Sequence, residues 1–556
     1  MVSSDARARP EVQLRRVRQP SLWAIAAVGT AALLAVPIAA VLWSLTTPAG
    51  AVWWHLWQTQ LLTLIGNTLL LLGGVGAGTL VVGTVLAWLV VHYRFPGHGL
   101  LEGALVLPLA IPAYVIGFVF LGLFEFTGPF QTFLRTTLGP GVRLPSLRSY
   151  WGVTLMMVLV LYPYVYLLAR TAFREQGAAT LETARSLGLS HFRVFLRVTL
   201  PIARPALVAG VALAMMEALA DFGTVATFGY RTLTEAIYRV WFGMFDRTAA
   251  TQLASGLLVF AFGLLLLERA SRGRARFTQA QRRGPGVQPV TLTGGRALLA
   301  TGTCLAVLGP GFLLPVSQLG LWAWEVLQAG QSAAVFVDLL RNTLYLAGLT
   351  TLIACLFAVV LAYALRLHPS WSVRLATQGV AMGYALPGSV IAVGVLLPLA
   401  WLDHTLVPHL GALIGAPVGL LFTGSVAGLI FAYLVRFLAV GLHTVEASLA
   451  RLPTSLDDAA RSLGAGTGRT LQRIHVPLIR GGLGTALILV FVETMKEMPA
   501  TLLLRPFGLN TLVVEVWQRT SESMWQEAAV PALAIVGAGM LPVLLAVRLS
   551  ATTSRT

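Results

Sequence analysis

Ala184-Arg185-Ser186-Leu187-Gly188 is written a second time, 276 positions later, as Ala460-Arg461-Ser462-Leu463-Gly464. From that seed the two stretches align without a gap, Ala184–Trp241 on Ala460–Trp517. Arg193, Arg197, Pro201, Arg204, Glu217, Leu233 and Trp241 meet Arg469, Arg473, Pro477, Arg480, Glu493, Leu509 and Trp517. Asp221 meets Glu497, so charge type is kept there too. Upstream the register slips by one: Asn67-Thr68-Leu69 answers Asn342-Thr343-Leu344, and Pro112 answers Pro387. Self-similarity of this length marks one structural unit used twice.

What the unit is made of follows from composition. The 556 residues are 56% hydrophobic and 11% charged, where soluble proteins carry about 25% charged residues. So apolar a chain must use lipid as solvent. A bilayer core of about 30 Å asks for roughly 20 apolar residues per helical crossing. Stretches that qualify are 21–46, 61–92, 99–124, 150–170, 203–229, 250–268, 296–320, 338–366, 375–402, 415–440, 481–503 and 526–548. The expected fold is an all-α polytopic membrane protein with about 12 transmembrane helices in two six-helix halves. An even number per half sets both halves the same way up, as parallel repeats around an axis along the membrane normal that suits a shared pathway.

The formal charge of +17 would in a soluble chain point to nucleic acid. Its distribution points to topology instead. With the N-terminus in the cytoplasm, Arg7, Arg9, Arg15, Arg16 and Arg18 lie inside, as do Arg269, Arg272, Arg274, Arg276, Arg282, Arg283 and Arg296. That asymmetry is the positive-inside pattern, and no nucleic-acid partner is expected. The layout is then a basic cytoplasmic N-terminus 1–20, a first half 21–270, a cytoplasmic linker 271–295, a second half 296–548 and a cytoplasmic tail 549–556. The first apolar run exceeds a signal peptide's h-region and no convincing cleavage site follows, so it counts as a span. Cys304 and Cys355, both in apolar spans, suit packing and offer no disulfide or metal spacing.

Each half carries a long cytoplasmic segment between its fourth and fifth spans, at about 172–202 and about 444–478. Leu181-Glu182-Thr183-Ala184 leads to Gly188 and, nine residues on, to Val198-Thr199-Leu200-Pro201; Asp458-Ala459-Ala460 leads to Gly464 and then Ile474-His475-Val476-Pro477. Ala, Leu and Arg favour helix, and the glycine allows the positive φ that ends one. Proline suits the first turn of the next helix. The expectation is a rigid cytoplasmic knob, made twice.

These spacings resemble the EAA loop of type I ABC importer permeases, with Thr183, Val198, Asp458 and Val476 as departures. The resemblance implies the MetI-like permease fold, taken twice, in the bacterial inner membrane. It implies a docking role toward the ATPase subunits for Glu182, Ala184, Gly188 and Pro201, and for Asp458, Ala459, Ala460, Gly464 and Pro477. It also implies two ABC ATPase subunits that bind the ATP and Mg, a periplasmic binding protein, and no cofactor in this chain. Met216–Thr224, Ile237–Phe242 and Glu493–Thr501 are similar to segments of ferric-iron importers. Fused permeases for thiamine, aminophosphonates or polyamines share the outline.

Glu217 and Asp221, like Glu493 and Glu497, stand four residues apart, which on one helix gives one face. A charge in mid-bilayer costs about 2.5–3.5 kcal/mol, so such residues face a cavity or a partner. Two readings stay open. The four carboxylates line a pathway, where hard Fe³⁺ would suit oxygen ligands, or they are structural, with Lys496 neutralising one of them or the pairs satisfied by packing at the external helix ends. Tight metal binding is not expected, because it slows release.

Other chemistry is excluded. A P-loop needs Gly-Lys-Ser/Thr, and the sole lysine, Lys496, precedes Glu497. Energy must come from separate subunits. An ion-coupled secondary transporter can also have two six-helix halves, but it would need no matched docking knobs. The glycines of 73–78 lie inside a span and suit close helix approach. Trp53, Trp54 and Trp57 suit the membrane interface.

Overall fold

The structure is a computed structural model that describes residues 22–48, 50–176, 183, 186–187, 190–272, 289–330, 333–415 and 419–553. Lipid offers no partner to a free amide, so apolar runs close their hydrogen bonds within helices. The first half comprises α1 (Leu22–Trp43), α2 (Leu61–His92), α3 (Ala113–Phe124), α4 (Tyr150–Glu175), α5 (Leu200–Ala220), α6 (Gly223–Thr227), α7 (Leu233–Tyr238) and α8 (Arg247–Arg272). The second comprises α9 (Gly294–Gln328), α10 (Ala333–Leu367), α11 (Gly388–Ile414), α12 (Val426–Ala450), α13 (Ser455–Ser462), α14 (Thr467–Leu478), α15 (Arg480–Lys496), α16 (Pro499–Leu504), α17 (Leu512–Ser521) and α18 (Ala529–Thr553). Among the described residues the strand pairing is confined to Tyr93–Arg94 beside Val290–Thr291, in parallel.

Ten helices among the described residues are long and apolar enough to cross a bilayer, and α14 with α15, bent by 80°, would make an eleventh. Of the two expected spans outside these ten, 481–503 is cut short because α15 stops at Lys496, and 526–548 falls on α18, Ala529–Thr553. The expected spans 99–124 and 375–402 are both broken. Ile111 and Leu386 are extended, at φ −101°, ψ 125° and φ −82°, ψ 131°, because each precedes a proline, Pro112 or Pro387, that disfavours helix at the residue before it. The expected span 203–229 ends at Ala220, and the one expected at 415–440 begins at Val426, where the Ser425 hydroxyl caps Gly428 N.

The duplication is visible in the packing. In the first half α2, α4 and α5 pack on one another, and in the second the equivalent α10, α12 and α15 do the same. Gly74 and Gly78 let α2 lie against Tyr150, Thr154 and Val158 of α4. Packing also crosses between halves: α1 lies on α10 and α11 of the second half, and α18 lies on residues 107–110 of the first. A Cβ on Gly394 would stand 2.5 Å from the Pro37 carbonyl oxygen, so glycine is what admits the contact of α1 with α11. Cys304 and Cys355 are free and buried.

Candidate functional site

The second of the two repeated segments is built as a short helix on a buried anchor. In α13, Asp458 and Ala459 are exposed while Ala460 is buried against the body of the protein. Asp458 pairs with Arg461, at 3.2 Å in solvent. Gly464 closes the helix at φ +76°, and Ala465 N donates to the Ala460 carbonyl at 2.9 Å. The residue before Gly464, Leu463, is 88% exposed.

Pro477 was expected in the first turn of the helix after Gly464. Instead that helix starts at Thr467, and Pro477 sits near its end, just before the 80° bend into α15. In the first copy Pro201 is the second residue of α5, Leu200–Ala220, and so lies in its first turn. Glu182, Ala184 and Gly188 lie outside the described residues. Leu187, the counterpart of Leu463, is described and is 78% exposed.

Sequence reading missed the anchor beneath α13. Arg366, at the end of α10, donates to Asp457 Oδ2 from Nη2 at 2.7 Å and Nε at 3.0 Å, and to the carbonyls of Leu449 and Leu452. His475 Nε2 lies 3.1 Å from Asp457 Oδ1. One arginine therefore ties α13 to α10 and to the end of α12.

Between the halves lies a cavity of about 140 Å³ lined by Glu217, Asp221, Glu493, Glu497, Arg436 and Lys496. The four carboxylates are not alike. Both span helices end one residue before the second acid of each pair, which is extended (Asp221 φ −78°, ψ 108°; Glu497 φ −70°, ψ 115°). The single-face arrangement expected for each pair is therefore not formed, because a second helix has to start there. Asp221 accepts from Thr224 N at 2.7 Å and Thr224 Oγ1 at 2.8 Å, capping α6. Glu497 accepts from Ala500 N, Thr501 N and Thr501 Oγ1, each at 3.1 Å, capping α16, and pairs with Arg436 Nη1 at 3.1 Å. Such caps satisfy otherwise orphaned helix N–H groups.

Glu217 and Glu493 remain on the helices proper. Lys496 Nζ lies 3.6 Å from Glu493 Oε1 and donates to the Leu109 carbonyl across the half boundary at 3.3 Å. Glu217 faces Tyr384 and lies in the field of Arg436 and Glu493. Among the described residues no three His, Cys, Asp or Glu side chains gather closely enough to hold a metal ion. Arg436 was the other residue that sequence reading missed, although an arginine inside an apolar span is itself a signal of a buried partner.

The sequence model of the binding-protein-dependent transport system inner membrane component family matches twice, at residues 79–270 and 354–553. The chain is 27% identical over 496 residues to the Fe(3+)-transport system permease protein FbpB 2 of Haemophilus influenzae, covering 88% of this chain and 90% of that protein. It is 30% identical over 251 residues to the sulfate transport system permease protein CysT of Salmonella typhimurium, 44% of this chain and 88% of that protein. It is also 30% identical over 229 residues to the molybdenum transport system permease protein ModB of Escherichia coli, 39% of this chain and 96% of that protein.

Proposed function

The chain belongs to the family of binding-protein-dependent transport system inner membrane components, the multi-pass permeases of ABC importers, and from that premise we propose that its cargo is ferric iron. The observation that carries this reading is the cavity between the halves. Four carboxylates there face one guanidinium and one ammonium, a formal excess of negative charge that favours a hard cation with oxygen-ligand preference. Asp221 and Glu497 are occupied as helix caps, so Glu217 and Glu493 are the pair that meets the ion. Similarity along 88% of the chain to a ferric permease supports the same cargo.

Two ATPase subunits, which bind the ATP and Mg, dock at the two cytoplasmic knobs. Leu187 and Leu463 are the apolar tips, and the segments around Glu182, Ala184, Gly188 and Pro201 and around Asp458, Ala459, Ala460, Gly464 and Pro477 form the docking surface. The N-terminus and the linker 271–295 are cytoplasmic, and a periplasmic binding protein delivers the ion to the opposite face. This chain is the transport component and the ATPases are separate.

A second reading, sulfate or another oxyanion, is favoured by the 30% identity of one half to the sulfate permease. The negative excess of the cavity opposes it. The test is uptake into proteoliposomes holding the permease, its ATPase and its binding protein, with labelled ferric iron and labelled sulfate side by side. ATP-dependent iron uptake is expected, and its loss in Glu217→Ala/Glu493→Ala while the complex still co-elutes. Sulfate uptake without iron uptake overturns the cargo; normal iron uptake by the double variant removes the carboxylates from the pathway.

A further inference from the structure

A second cavity lies beyond the first. α5 runs from the cytoplasmic knob to Ala220, so α6, α7 and the residues after them sit at the external end of the pathway in the orientation proposed above. Here a cavity of about 710 Å³ opens, and its charged side chains are Arg231, Arg239, Arg505 and Glu235. Its formal balance is positive, opposite in sign to the inner cavity.

The two spaces are in series. Phe222 lines both. Its ring stacks on Tyr238 at 3.8 Å between centroids, and Trp517 approaches it at 5.0 Å. Tyr238 in turn donates from its hydroxyl to the Pro499 carbonyl of the other half. An aromatic partition fixed to both halves thus divides a basic outer space from an acidic inner one.

Arg505 donates to Asn510 Oδ1, while Arg239 and Arg231 are incompletely used by the protein. Arg239 Nη1 donates to Gln60 Oε1 at 2.8 Å, and Nε lies 3.2 Å from Glu235 Oε1. Its Nη2 is buried with no hydrogen-bond partner among the described residues, and Arg231 is exposed. Buried polar groups are nearly always partnered, and a guanidinium fork matches oxyanions best. A bare trivalent cation would be repelled from such a vestibule; a ferric ion still bound to an anionic oxygen ligand would not.

We propose that the outer cavity is a binding site for the oxyanion, phosphate or carboxylate, that accompanies ferric iron. Arg231, Arg239 and Arg505 grip the anion. The metal passes Phe222 and exchanges Fe–O bonds to the anion for Fe–O bonds to Glu217 and Glu493, with no change in oxidation state. This rests on the ferric reading above.

The experiment titrates the purified permease–ATPase complex by calorimetry with inorganic phosphate and with citrate, each without iron. It then measures labelled iron uptake from binding protein loaded with ferric phosphate or ferric citrate. Binding of either anion is expected, weakened about tenfold or more in Arg231→Gln/Arg239→Gln by loss of charged hydrogen bonds. Co-elution with the ATPase checks that the variant is folded, and the exposed Arg231→Gln alone serves as the milder variant. Phosphate binding alone identifies an inorganic co-ligand, and citrate binding alone an organic one; either supports the site. No anion binding by the wild type, or undiminished binding by the double variant, overturns it. Loss of binding-protein capture with anion binding intact also overturns it, because the arginines would then dock protein. Anion binding without iron uptake from either complex overturns the cargo reading and makes the anion itself the passenger.

Discussion

Glu493 and Glu497 stand four residues apart and do different work. Glu497 is 1% exposed and faces Arg436, which is 11% exposed. Removing one partner of such a pair leaves a buried charge and costs about 3–5 kcal/mol. Glu497→Gln should therefore lower the unfolding midpoint of the protein in detergent, by about 3 kcal/mol equivalent. Glu493→Gln, whose carboxylate is 32% exposed and only 3.6 Å-paired with Lys496, should leave the midpoint nearly unchanged while slowing iron uptake. Equal midpoints for E497Q and wild type would show that Arg436 is satisfied elsewhere. The four acids were plain in the sequence as charges in apolar surroundings. Their division of labour was not, because it depends on where a helix ends. Pro499 marked a fresh helix start that a continuous-span reading passed over, and the first copy has Gly223 at that place, with no such mark.

At the scale of the element, α13 shows why a spacing pattern finds a helix and misses its foundation. The glycine that ends it was legible, since φ +76° at Gly464 costs other residues about 1–2 kcal/mol. The acid singled out by the pattern was Asp458, which sits in solvent; the neighbour Asp457 holds the buried contact with Arg366, 91 positions away in sequence. No local pattern encodes a partner that distant. Two outcomes follow. Leu463→Asp should abolish capture of the ATPase by affinity pull-down without lowering the unfolding midpoint, because the side chain touches little of its own protein. Arg366→Ala should keep some ATPase capture but reduce iron moved per ATP hydrolysed, since the knob would no longer be tied to α10. Unchanged coupling in R366A would mean that α13 transmits motion through Ala460 packing alone.

For the whole molecule, the duplication in sequence foretold two equal halves, and the packing trios bear out the repeat. It could not show that α1, while still meeting α8 of its own half, lies on α10 and α11, because lipid-facing and helix-facing apolar residues look the same in composition. The crossing has a mechanical consequence: the first half clasps the second through α1 as well as through the chain that joins them. A protease site placed between residues 273 and 288 and cut after purification should therefore leave two fragments that still co-elute. Gly394→Leu should weaken exactly that clasp, since even a Cβ would stand 2.5 Å from the Pro37 oxygen and overpacking of this kind costs about 1–3 kcal/mol. Fragments of the cut G394L protein should separate at lower detergent or denaturant concentration than those of the cut wild type. If both separate alike, the halves are held by the contacts around the central cavity, where Tyr238 meets Pro499 and Lys496 meets Leu109, and α1 contributes little to the union.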